Sequence, residues 1–239
     1  DLVGEETAVN MLLAAAAVAQ QCGWHDGERY LLAALERAPW SSEVLNPLEA
    51  IYTQRGDAQC IERLRAAESQ TEPKSPADHL RRSHFLMAEK NYEQAFAMAL
   101  AGIEKMPHDG PLRYNAALAL VNLGKKDEAL VHLQAIDSAN TAAYLQGNYL
   151  AAAILRELGR LPDALAASEL ILAQDPSQLD AGLLRGSLLE QLGRSTDAEA
   201  VFLALMSQNK QRVAVELAGL YLRSGRVADA QRIATQALA

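Results

Sequence analysis

Leu158-Gly159-Arg160-Leu161-Pro162-Asp163-Ala164 is answered 34 residues later by Leu192-Gly193-Arg194-Ser195-Thr196-Asp197-Ala198. The same frame, a turn residue followed five positions on by a small or aliphatic one, extends outward to Gly56 and Ile61, Lys90 and Ala95, Gly124 and Ala129, and Gly225 and Ala230. Successive anchors lie 34, 34, 35, 34 and 32 residues apart. Pro39, Pro73 and Pro107 keep the 34-residue step, and Pro176 follows after two further periods plus one residue. Two independent markers in one register indicate a repeat array, whose units cannot bury their apolar faces alone and must stack.

Each unit resolves into two helices. Leu112, Ala116, Ala119, Leu120 and Leu123 recur at helical spacing up to the turn at Gly124. Ala129, Leu130 and Leu133 then open a second helix. Glycine suits a left-handed C-cap, and Asp57, Asp127, Glu128, Asp163, Asp197 and Asp229 fall where the next helix presents its positive end. Ser75, Pro76 and Asp78 read as N-cap, first helical residue and first-turn acid. Asn46-Pro47 reads the same way, so the first helix of the second unit is expected to start late, with residues 41–45 as a longer loop.

Alanine and leucine are abundant while aromatic residues make up 5% of the chain, which favours close helix packing over an aromatic-rich β core. Net charge is −8, and residues 1–72 carry 12 acids against 5 bases. That balance argues against general affinity for nucleic acid or anionic membrane, both of which need clustered Lys and Arg. The apolar run from Met11 to Ala19 is too short to span a bilayer and lacks the basic flank of a signal peptide, so no membrane insertion is expected. Cys22 and Cys60 have neither CxxC spacing nor a histidine pair. They read as buried free thiols, with a bridge between adjacent units left open. His79 and His84 are five apart and lie on different helix faces, unsuited to sharing a metal. No nucleophile elbow, phosphate loop or zinc-protease pair occurs, so no catalytic residue, cofactor or metal is expected. His84 could tune binding with pH.

The stretch Lys90-Asn91-Tyr92-Glu93-Gln94-Ala95, with Pro107 twelve residues after the alanine, resembles the tetratricopeptide repeat family. The turns at Gly124, Gly159 and Gly193 follow it, and the resemblance covers nearly the whole chain. Departures are Cys22-Gly23 at the first turn, Ile61 in place of alanine, and Thr141 where the fourth unit should end in proline. The resemblance implies an all-α, right-handed superhelical solenoid of stacked antiparallel helix pairs. It would form a single domain over 1–239 with about seven repeats, near 8–41, 42–75, 76–109, 110–144, 145–178, 179–210 and 211–239. It further implies a non-catalytic scaffold that holds a protein or peptide on its concave face, lined by the first helix of each unit.

In that register the inward positions include Asn46, Thr53, Gln54, Ser187 and Glu190. The middle of the groove comprises Arg81, His84, Met87, Tyr114, Asn115, Leu118, Asn122, Gln146, Tyr149 and Arg156. Tyrosine and arginine are good anchors there, since they join large contact area to directed polar ends. The carboxylate clamp of some co-chaperone members is not expected: only Asn115 falls on a matching place, and Leu80, His84, Gln146 and Leu150 fill the others. The last unit stops in an apolar second helix. Self-association through that end is one expectation, and membership of a larger protein, such as a glycosyltransferase or a bacterial envelope export component, is the alternative. Arginine in excess of lysine suggests a GC-rich bacterial gene. No targeting segment is visible, which favours the cytoplasm, with the bacterial periplasm as the alternative.

Overall fold

The computed structural model describes residues 2–22 and 26–238. Fourteen helices and no strand are found among them. They follow one another as seven pairs: α1 (Leu2–Gln21) and α2 (Gly27–Leu35), α3 (Ser42–Arg55) and α4 (Ala58–Ser69), α5 (Pro76–Ala88) and α6 (Tyr92–Lys105), α7 (Gly110–Asn122) and α8 (Lys126–Gln134), α9 (Thr141–Glu157) and α10 (Leu161–Gln174), α11 (Leu179–Gln191) and α12 (Ser195–Leu205), α13 (Lys210–Arg223) and α14 (Val227–Leu238). Two compact units divide the chain, residues 1–119 and 120–239.

All six anchors of the period sit in the left-handed region, with φ between 63° at Lys90 and 77° at Gly124. In every case the residue after the anchor donates its N–H to a carbonyl five positions back, as in Asn91 to Leu86 and Arg160 to Leu155, both 2.8 Å. This is the Schellman closure of a helix, which satisfies carbonyls that would otherwise be orphaned. Five residues on, Ala95, Ala129, Ala164 and Ala198 are fully buried. A methyl group there lets the second helix close on the first, and Ser83 uses the proximity to donate its hydroxyl to the Ala95 carbonyl at 2.9 Å. Lys90 alone holds the left-handed turn without being glycine, a conformation costing an L-residue about 1–2 kcal/mol. Lys90→Gly is expected to raise stability by about 0.5–1 kcal/mol in denaturant titration, the flexibility of glycine offsetting part of the relieved strain. No gain would mean that the Lys90 side chain compensates locally.

In the first unit α1 pairs with α2, α3 with α4 and α5 with α6, while α3 also touches α2 and α5. Leu31, Val44, Leu45, Leu48, Tyr52 and Leu64 form its N-terminal core. Ala99, Ile103, Leu112 and Ala116 form a second cluster. In the second unit α9 pairs with α10, α11 with α12 and α13 with α14, and α11 also lies along α13. Ile154, Ile171, Leu188, Phe202, Leu217 and Tyr221 are buried there. Three second helices open on the same Gly-Arg-x-x-Asp-Ala frame. Its arginine Nε donates to the aspartate at 2.9, 2.7 and 2.8 Å in Arg160–Asp163, Arg194–Asp197 and Arg226–Asp229.

Two expectations are corrected, the loop at 41–45 and the burial of the cysteines. The segment 41–45 is no loop: α3 starts at Ser42 and carries Pro47 within it. An internal proline costs about 3 kcal/mol, but winding the segment as helix buries Val44 and Leu45 completely, each worth about 1.5–3 kcal/mol. The Ser42 N–H also gains the Asp78 carboxylate at 2.8 Å. The helix α9 begins at Thr141 and runs for 17 residues. Cys22 and Cys60 are both free, but Cys22 is exposed rather than buried and Cys60 half-buried; the neighbouring Gly23 lies outside the described residues. In α14 Ala230 and Ile233 are buried, while Val227, Gln231, Arg232 and Thr235 are exposed.

Ser75 and Asp78 form the expected capping box, with Pro76 at the first helical position. Asp78 is buried and accepts from three backbone amides: Ser42 at 2.8 Å on one oxygen, and Ser75 at 2.8 Å and Lys74 at 3.2 Å on the other. Burial alone would raise its pKa, but the Ser42 and Ser75 hydrogen bonds outweigh it and hold the carboxyl below 3.8. A depressed folded pKa means stability present above the unfolded value and lost as pH falls through the folded one. Asp78→Asn is therefore expected to be less stable at pH 7 by about 1–3 kcal/mol, with a shallower loss of stability on acidification below pH 3.8. Parallel acid titrations of the two proteins would contradict this role.

Candidate functional site

In the first unit, the predicted groove residues do not share one state. Arg81 is nearly enclosed, with 9% of its side chain exposed, and is held by two carboxylates: Nη1 lies 2.8 Å from Glu49 and Nη2 lies 3.2 Å from Glu68. Asn46 accepts from the same guanidinium at 2.5 Å. Glu49 is further bound by Arg65 at 2.8 Å, and Arg65 stacks over the Phe85 ring at 4.3 Å. The two carboxyls titrate in opposite senses. Burial pushes Glu68 up, whereas at Glu49 burial is outweighed by Arg65 and Arg81 together and the pKa falls. Neighbouring Arg82 caps the end of α4, donating to the carbonyls of Glu68 at 2.9 Å, Ser69 at 2.6 Å and Thr71. The arginine that reads in sequence as a ligand anchor is thus a tie between helices.

Asn115 is likewise withdrawn. It is 1% exposed and donates to the Ser83 hydroxyl at 2.6 Å, so the one residue matching the carboxylate clamp faces the interior. His84 lines a cleft of about 410 Å³ with Asn46, Glu49 and Arg81. Although His84 is exposed as a whole, desolvation of its ring in the cleft lowers its pKa. Met87, Tyr114 and Leu118 are half-buried, and burial raises the Tyr114 pKa.

In the second unit, Asn122, Gln146 and Arg156 are exposed. Tyr149 is half-buried with its hydroxyl shielded from solvent, beside the first turn of α11 near Ala181 and Asp180. Burial and then the Asp180 charge raise its pKa. Glu190 is engaged by Arg223 through two contacts of 2.5 and 2.8 Å, and Ser187 accepts from Gln191 at 3.3 Å. Arg160, Arg185, Arg194, Arg212, Arg223, Arg226 and Arg232 all have carboxylate partners within ion-pair distance. Arg156 has none among the described residues.

A cavity of about 760 Å³ was missed by sequence reading. It lies between α1 and α3 over the start of α2, lined by Leu13, Ala16, Ala17, Leu31, Pro47 and Ile51, with Gln54 and Arg55 at its edge. Ala16 and Ala17 give no local signal of it, since small residues on a helix read equally well as packing positions. No cluster of three or more His, Cys, Asp or Glu suited to a metal occurs among the described residues, and no helix is long and apolar enough to cross a membrane.

Comparison with solved structures assigns the fold. The chain is similar to PilF of Pseudomonas aeruginosa, with TM-score 0.63 and 15% identity over 92% of this chain and 99% of that one. It is also similar to a tetratricopeptide repeat protein from Parabacteroides merdae, with TM-score 0.59 and 14% identity over 97% of this chain and 92% of that one. YrrB, described as a TPR protein with an unusual peptide-binding site, gives TM-score 0.53 and 16% identity over 67% of this chain and 84% of that one. The fold is therefore the all-α fold of tetratricopeptide repeat proteins. No family model and no curated protein matches the sequence.

Proposed function

We propose that this chain is a non-catalytic interaction scaffold that takes a protein or peptide partner on the first helices of its repeats. The observation that carries this reading is Arg156. A solvated guanidinium without an internal partner, one helical face from exposed Gln146 and half-buried Tyr149, offers directed donors to a carboxylate or carbonyl. The remaining arginines of residues 120–238 each have a carboxylate within ion-pair distance, in the same helix or in another. The fold shared with YrrB, a TPR protein described as having an unusual peptide-binding site, is compatible with such use. In this reading Gln146, Tyr149 and Arg156 of the second unit meet the partner together with Asn122, and in the first unit Arg81 and Asn115 shape the groove wall beside His84, Met87, Tyr114 and Leu118.

The test is capture of partner by the wild-type chain and by the double variant Gln146→Ala, Arg156→Ala, with helicity checked by circular dichroism. Both sites are exposed, so folding should be kept. Recovery is expected to fall about fivefold or more, as for loss of one directed charged contact. Unchanged recovery from a folded variant would remove the reading.

A further inference from the structure

We propose that the furrow between α1 and α3 receives a basic amphipathic segment of a partner protein, an aliphatic side chain entering the cavity and Lys or Arg lying along its rim. This rests on the scaffold reading above and names the chemistry of a second contact, in residues remote in sequence from Gln146 and Arg156. The cavity floor is aliphatic and of small side chains: Leu13, Ala16, Ala17, Leu31 and Ile51. A second cavity of about 480 Å³ continues along the same two helices toward Glu5, Glu6 and Val9, and Glu43 borders both. The whole furrow is thus long enough for several residues of ligand, apolar at one end and acidic at the other.

Charge complementarity selects the occupant. Of the basic groups lining the furrow only Arg55 is neutralised by a carboxylate, while Arg37 and Lys74 keep their charge and are outnumbered by Glu5, Glu6, Glu43 and Asp78. Arg55 meets Glu28 at 2.6 Å, Arg37 donates to the Ala33 carbonyl at 2.8 Å, and Lys74 sits 3.3 Å over the Trp40 ring. Glu5, Glu6 and Glu43 are exposed, and no ion pair engages them among the described residues. Their field adds to that of a chain segment, 1–72, with 12 acids against 5 bases. Such a surface repels acidic segments and draws cationic ones, the apolar cavity supplying affinity and the carboxylates supplying orientation and rate. An acidic or purely polar peptide would leave the aliphatic floor wet and the carboxylates uncompensated.

Fluorescence anisotropy with two labelled helical peptides of one apolar pattern, Leu/Lys and Leu/Glu, tests the assignment on the full chain. The Leu/Lys peptide is expected to bind, with affinity falling as salt rises, and the Leu/Glu peptide is not. Ala17→Leu, which fills the cavity from an exposed helical site, and Glu43→Lys are each expected to weaken Leu/Lys binding roughly tenfold. Glu104→Lys, on the exposed surface of α6 and equal in charge change, should alter it less than twofold. Ala50→Leu is a second cavity-filling variant should Ala17→Leu lower the melting temperature. Equal weakening by Glu104→Lys, indifference to both cavity-filling variants, or equal binding of the Leu/Glu peptide would overturn the proposal. Failure here with partner capture still sensitive to Gln146 and Arg156 would remove the furrow alone. A successful titration with capture insensitive to those two would remove the groove reading instead.

Discussion

Arg81→Ala is expected to destabilise the chain by about 3–5 kcal/mol, because it strips the cation from a nearly enclosed ion-pair network. Glu68, with 7% of its side chain exposed, loses its only side-chain cation within ion-pair distance among the described residues, while Glu49 retains Arg65 at 2.8 Å. The large cost comes from stranding a charge, and a compensating pair separates that from lost packing. Arg81→Met with Glu68→Leu removes cation and anion together while keeping volume, and is expected to recover most of the loss. Urea titrations of the three proteins read this out. A single-variant loss below about 1 kcal/mol would show the network to behave as an exposed surface pair. The same experiment decides the role of Arg81, since a ligand anchor would change partner capture and leave stability alone.

Phe202→Ala should cost a comparable amount, about 3–5 kcal/mol, by opening a cavity in the second unit. The Phe202 ring is 1% exposed and lies over Gly186 of α11, where an added Cβ would stand 2.3 Å from one ring carbon and 2.6 Å from another. Gly186→Ala alone is consequently expected to destabilise by about 1–3 kcal/mol, despite the better helix propensity of alanine. The two effects should not add. With the ring gone, the Gly186→Ala methyl enters the vacated space, so the double variant should be more stable than the sum of the singles predicts, by about 1–3 kcal/mol. Additivity within a few tenths of a kcal/mol would mean that α11 and α12 do not meet through this contact.

How much of this was legible beforehand follows from what each residue responds to. The period could be read because each anchor answers to a local demand: a left-handed closing residue, and a small residue five positions later where two helices cross. Even Lys90 kept its place in the register although it lacks the usual side-chain chemistry for it. Helix pairs, capping at Ser75 and the small buried alanines are all local, and all appeared. Pro47 was misread because its local signal, an N-terminal proline, competes with the burial of Val44 and Leu45, which is set by elements elsewhere. Arg81 and Asn115 occupy groove positions by spacing, but their fates depend on Glu49, Glu68 and Ser83, residues 13–32 positions away whose side chains reach them only in three dimensions. The furrow between α1 and α3 was illegible for the same reason. A cavity is a property of what two helices jointly lack, and the alanines that create it look in sequence like ordinary packing residues.

The central claim is that a partner sits on the first helices, and site-specific photo-cross-linking addresses it most directly. A photoreactive residue placed at Gln146 on α9 is compared with one at Val131 on α8 and one at Leu203 on α12, both exposed on second helices. The scaffold account predicts that the Gln146 probe joins covalently to the captured partner and the two second-helix probes do not. Cross-linking at Val131 or Leu203 with none at Gln146 would contradict it.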